Sequence, residues 1–171
     1  MVVLRATAKV RRILPESATS ESISDAALGD WYVNRVVIDR RPLLLIVSAT
    51  SLLPLVTPAR EVRSLPERFT GLVAQRLERL GVAAHLAEAE LAAMTPAVVA
   101  KTTDRSVLGI MVDFAKAMPF YFASCGHESS GIWEVEAILA KTPCHAGRSR
   151  EEVVFPYRKA AELLTAKWAA V

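Results

Sequence analysis

The chain has 171 residues, 52% of them hydrophobic and 23% charged, with two cysteines and a formal net charge of +3 at pH 7. A chain of that length buries roughly 70% of its extended surface in one domain, so a core needs neither disulfides nor a metal, and the composition excludes collagen-like, coiled-coil and wholly disordered chains. With 21 basic against 18 acidic residues, the field around the protein is weak; it permits acidic partners without requiring them.

Charge appears as early as Arg5, too soon for the apolar core of about 7–15 residues that a secretory signal needs. Leu43 to Val56 is the longest apolar region. Ser48, Thr50, Ser51 and Pro54 interrupt it, and it falls short of the roughly 18–20 residues that cross a bilayer. Two cysteines offer no disulfide framework. The expectation is a cytoplasmic chain that does not enter a membrane.

In chain order, Val2 to Val10 reads as a strand with Val2, Leu4, Ala6 and Ala8 on one face. Residues 16–27 have loop composition, which marks a mobile segment. Trp31 to Ile38 is aromatic and β-branched, and Asp39 to Pro42 makes a turn. Leu43 to Val47 is a continuous apolar run, as in a strand buried on both faces. After a second turn, Leu52 to Thr57 carries Pro54, which places it at an edge or a bulge. These three form a meander.

Ser64-Leu65-Pro66-Glu67 spells a capping box, followed by Phe69, Leu72, Val73, Leu77 and Leu80 at helical spacing and a stop at Gly81. A second helix spans Ala83 to Met94, and Pro96 to Thr102 is a short strand. Asp104 caps a helix carrying Val107, Leu108, Met111, Phe114, Ala115 and Met118. Ile132 to Ala140 is a further helix, and Pro156 opens a last one burying Tyr157, Ala161, Leu164 and Trp168. Strands bunched ahead of helices predict a single α+β domain over 1–171. Its sheet is expected to be mostly antiparallel and packed on about five helices.

Cys125, His127, Cys144 and His145 do not have the spacing of a structural zinc site, and neighbours such as Cys144 and His145 rarely reach one metal, so no metal is expected. Phosphate-loop, dinucleotide, zinc-protease and hydrolase-elbow signatures do not occur, and no cofactor is implied. Two stretches hold more polar residues than packing requires. In Leu28-Gly29-Asp30-Trp31-Tyr32-Val33-Asn34-Arg35, Asp30 is either a carboxylate at a strand mouth beside a stacking surface of Trp31 and Tyr32, or part of a turn before a buried Trp. In Lys101-Thr102-Thr103-Asp104-Arg105-Ser106, a helix begins among polar residues. Its free amides, with Lys101 and Arg105, suit an anion, or Asp104 caps the helix while Arg105 pairs with Asp30.

These stretches carry a resemblance. Leu28 to Asn34, the strand Arg41 to Val47, the Leu52-Leu53-Pro54 region and Asp104 to Ala115 resemble, in matching order, a bacterial family of domains of unknown function. Its pattern runs Cys-Thr-Lys-Lys, L-G-D-W-Y-A-N, R-R-K-L-x-L-F-V-N and N-R-S-V-L-G-S-M-N-D-F-A. Here Ala6 stands for its Cys, Ala8 for its first Lys, Ser48 for the Asn that ends its strand, and Asp104, Ile110 and Val112 for Asn, Ser and Asn. Asp30, Trp31, Asn34, Arg105, Ser106, Gly109 and Asp113 match. The resemblance implies a fold and an extent, and no activity.

Asp30, Trp31, Asn34, Lys101, Arg105, Ser106 and Asp113 are therefore the candidate functional cluster. Three functions remain open. The first is a non-catalytic interaction or regulatory module with a protein partner. The second is a nucleic-acid-associated protein of a defence or toxin–antitoxin system, using Arg11-Arg12 and Arg40-Arg41. The third is a hydrolase using Asp30, Arg105 and Asp113. A salt bridge between Asp30 and Arg105 is the expected link between the two halves of the chain.

Overall fold

The computed structural model describes residues 1–145 and 152–170. β1 (Val2–Ala6) leads through a four-residue helix, α1 (Ala8–Arg11), and a long loop into β2 (Trp31–Ile38), β3 (Arg41–Ser48) and β4 (Pro54–Pro58). A 3-10 helix (Ala59–Ser64) runs into α2 (Leu65–Arg79) and α3 (Ala84–Ala93), followed by β5 (Ala97–Lys101), α4 (Arg105–Cys125) and α5 (Ser129–Lys141). A two-residue hairpin of β6 (Cys144–His145) and β7 (Val153–Val154) precedes α6 (Pro156–Trp168).

The large sheet has the order β4-β3-β2-β1-β5. The meander β2-β3-β4 is antiparallel, as its short turns require, but β1 runs parallel to both β2 and β5. The fold is α+β, as the sequence led us to expect, with a mixed sheet that is antiparallel through the meander and parallel on both sides of the interior strand β1. That position explains why all five β1 residues are buried and why the strand ends at Ala6: beyond it the chain turns into α1. The β2–β3 turn places Asp39 at φ +50° and Arg40 at φ +64°, the left-handed pair that a two-residue hairpin needs to match strand twist.

Alternation along β3 divides the core in two. Leu44 and Ile46 join Trp31, Val33 and Leu4 beneath α2, α3 and α6, where Phe69, Val73, Met94 and Leu164 pack. Leu43, Leu45 and Val47 face the other way, onto Val107, Met111, Phe114 and Met118 of α4 and Val135 and Leu139 of α5. The apolar run therefore does lie in a strand covered on both sides. α4 is, among the described residues, the helix long and apolar enough to span a membrane by length and composition; here its apolar stripe packs on the sheet.

Local details differ from sequence expectation for identifiable reasons. Ser64 makes no capping bond; its hydroxyl donates to the Glu61 carbonyl at 3.2 Å. The 3-10 turn runs straight into α2, and the Leu65 amide donates to the Val62 carbonyl. In α6 the inward alanine is Ala160, and Ala161 faces solvent. Residues 16–27 contain no helix or strand. Ser17 and Ala18 donate to the Val99 carbonyl at 2.9 and 3.0 Å, and the Ser17 hydroxyl accepts from the Val99 amide at 2.9 Å, closing the β5 edge.

The β4 edge is closed by a charge. Glu136, on α5 and 1% exposed, accepts from the Val56 amide at 2.8 Å and pairs with Arg79 at 2.9 Å and Arg76 at 3.7 Å. Arg76, 2% exposed, also donates to the Glu136 and Pro54 carbonyls at 3.1 and 3.3 Å. Burial raises the Glu136 carboxyl pKa and lowers that of the Arg76 guanidinium, against their mutual attraction. Nearby, a side chain at Gly131 would collide with the Cys125 and Gly126 carbonyls, so only glycine lets α5 start this close to the end of α4. Removing the carboxylate with Glu136→Ala strands a buried guanidinium, at a cost of about 3–5 kcal/mol. The midpoint of urea unfolding should fall accordingly, and a change under ~1 kcal/mol would show that the clasp contributes little.

Candidate functional site

The sequence-marked residues gather at one end of the sheet, but mostly as structural parts. Asp30 pairs with Arg5, at 2.7 Å from Oδ2 to Nε, with side chains 16% and 4% exposed. Its Oδ1 accepts from the Ser24 amide and hydroxyl at 3.1 and 2.6 Å. Arg5 also donates to the carbonyls of Ser20 and Lys101 at 2.8 and 3.4 Å and to that of Ser22. The expected Asp30–Arg105 pair does not form. β1 lies beside the start of β2, which gives Asp30 a nearer, buried guanidinium, and Arg105 is exposed with no ion pair among the described residues.

Trp31 and Tyr32 present no stacking surface, being 0% and 2% exposed. Trp31 packs edge-on against Phe69 with ring centroids 5.4 Å apart. The Tyr32 hydroxyl accepts from the Asp104 amide at 2.9 Å and lies 3.2 Å from the Thr103 hydroxyl. Asn34 accepts from the Thr7 hydroxyl at 3.0 Å. Asp104 caps α4, accepting from the Ser106 amide and hydroxyl at 2.7 and 2.6 Å. That carboxylate occupies the helix N-terminus where an anion beside Lys101 and Arg105 would bind. Asp113, two turns further along α4, lines a different cavity, with Cys144. The structure therefore does not assemble Asp30, Arg105 and Asp113 into one constellation.

No three His, Cys, Asp or Glu side chains among the described residues come together as metal ligands. His127 Nε2 lies 2.9 Å from Asp39 Oδ2, and its ring stacks on Phe122 at 4.6 Å. That contact fastens the β2–β3 turn to the end of α4.

A groove that the sequence did not point to lies outside β4, where the helices of the two faces meet. Its narrower part, about 220 Å³, is lined by Arg60, Arg68, Arg79, Glu61, Glu136 and Trp133. A wider part, about 560 Å³, adds Arg41, His127 and Glu128 and shares Pro58, Arg60, Ser129 and Ile132 with the first. Arg68 is engaged by Glu61 and Arg79 by Glu136, and the Arg79 guanidinium lies 4.7 Å from the centre of the half-exposed Trp133 ring. Arg41 and Arg60 line the groove as exposed side chains and have no ion-pair partner among the described residues. Against them stands one unengaged carboxylate, Glu128. Nothing local in the sequence signals this, because Arg41, Arg60 and Arg79 meet only through the β3–β4 pairing and the clasp behind it.

Asp30→Ala should leave Arg5 buried without a counter-charge and lower stability by about 3–5 kcal/mol, read as a fall in the denaturation midpoint. Arg105→Ala, on an exposed side chain, should stay within about 0.5 kcal/mol of the native chain. Equal effects would contradict this assignment of Asp30.

No curated protein and no solved structure matches the chain. A family model, described as a domain of unknown function (DUF6933), matches residues 3–159. That stretch contains all of the five-stranded sheet but Val2, both buried ion clusters and every residue lining the groove, and the chain belongs to the DUF6933 family.

Proposed function

We propose that this domain is a non-catalytic interaction module whose groove along β4 receives an acidic, partly apolar segment of a partner protein. The observation that carries this reading is the pair of guanidinium groups, Arg41 and Arg60, lining an open groove without ion-pair partners among the described residues. The groove walls include Leu43, Pro42, Pro58 and Ile132, which suit alternating acidic and apolar side chains. Rim arginines of this kind set association rate and salt dependence more than tight affinity. Hydrolysis by Asp30, Arg105 and Asp113 is disfavoured, because Asp30 is committed to Arg5 and Ser24 and Asp113 belongs to another cavity. The nucleic-acid reading is weakened in part: Arg41 lines the groove, but Arg11 is engaged by Glu16.

Fluorescence anisotropy with a labelled peptide of alternating Glu and Leu, at low ionic strength, tests the proposal. Binding is expected to weaken as salt rises. The double variant Arg41→Glu/Arg60→Glu should bind about tenfold or more weakly, in line with the worth of charge complementarity at an interface. A single-stranded oligonucleotide that binds where the peptide does not would replace this reading with the nucleic-acid one. Unchanged peptide affinity in the double variant would remove the groove from consideration.

A further inference from the structure

Asp113 lies outside the groove. It stands at the rim of a smaller, open cavity between α4, the end of α5 and β6, where Ile110, Phe114, Ala117, Leu139 and Pro143 give apolar lining and Thr142, Cys144 and the exposed His145 polar lining. The cavity volume is about 180 Å³, somewhat more than the ~150 Å³ in which an apolar protein cavity holds benzene. Two of the three polar residues beside Asp113, Thr142 and Cys144 but not His145, have partners of their own among the described residues. The Thr142 hydroxyl donates to the Ile138 carbonyl at 3.0 Å, and the Cys144 thiol donates to the Thr142 carbonyl at 3.4 Å. Burial first, and the Asp113 charge second, push the Cys144 thiol up to about 11, so it is protonated and uncharged at neutral pH. Asp113 is the one carboxylate lining the cavity. Among the described residues it has no hydrogen-bond or ion-pair partner, and Lys116, one turn along α4, does not pair with it.

One fixed negative charge against low-dielectric walls concentrates cations, and the apolar walls select for a hydrocarbon body. We propose that this cavity binds a small primary ammonium compound with a compact apolar body, about the size of benzylammonium, with Asp113 as its counter-ion. The ring fills the space beside Phe114, Ala117 and Leu139. The ammonium stays at the mouth, where Asp113 is exposed, so neither charge is taken fully out of water and the desolvation that penalises buried pairs is avoided. The site shares no residue with the β4 groove and stands independently of the proposal made there.

Isothermal titration of the chain with benzylammonium chloride at neutral pH, with benzyl alcohol as the uncharged analogue, tests the proposal. Benzylammonium should bind about tenfold or more tightly than the alcohol. Asp113→Asn, a change at an exposed side chain without partners, should retain the native melting temperature and erase that margin while leaving the alcohol's affinity unchanged. Ala117→Leu should fill the cavity and weaken both ligands together. Absence of benzylammonium binding, equal affinities for the two ligands in the native chain, or a margin that survives Asp113→Asn would each overturn the proposal.

Discussion

Glu136 ties together strand β4 and the helices on both faces of the sheet. Strand β4 would otherwise offer an open edge, with the Val56 amide ready to pair with a foreign strand. Glu136 accepts that amide and, with its other oxygen, draws in Arg79 and Arg76 from α2 on the opposite face of the sheet. One side chain therefore seals an edge and fastens the two helical layers to each other around it. Neither ion is comfortable alone, since burial works against the charge on both Glu136 and Arg76. Their tolerance is mutual, and two members of the clasp, Glu136 and Arg79, also line the groove.

Buried charges recur as organisers elsewhere. Arg5, on the interior strand β1, gathers Asp30 and the carbonyls of Ser20, Ser22 and Lys101, so a charged residue in an otherwise apolar strand shapes the loop that follows it. Glu90, 0% exposed, accepts from the Ala27 and Leu28 amides at 2.7 and 2.9 Å and from Trp168 Nε1 at 2.7 Å. It joins α3, the approach to β2 and the last helix. In each case a polar group is buried only because its partners are supplied in full.

The same residues mark how far the sequence could be read. β2, β3, β5 and the Asp104 cap were legible, because β-branched runs and a capping aspartate act locally. Pro54 marked an edge strand correctly, since proline withholds the amide that an interior position needs. Glu90, Arg76 and Glu136 were not legible. A charged residue in an amphipathic helix looks solvent-exposed until a partner from another element turns it inward. The parallel direction of β1 was hidden for a related reason: it depends on β5, some ninety residues away. Asp30 was recognised as special but assigned the wrong partner, because chain order does not reveal that Arg5 lies beside it.

The pairing of β1 with β5 also bears on how the chain assembles during synthesis. Val2 to Ala6 meets its second neighbour only at Ala97 to Lys101. Long-range pairings of this kind carry a loop-closure cost that slows folding. While the intervening residues are being made, β1, buried along its whole length in the finished fold, has β2 on one side and an unsatisfied backbone on the other. The Ser17–Val99 bonds that cover the far edge cannot form before β5 arrives either. Strand β1, made well before β5, is thus among the last to be enclosed, and in that interval a nascent chain of this fold is most exposed to misassembly or to capture by a chaperone.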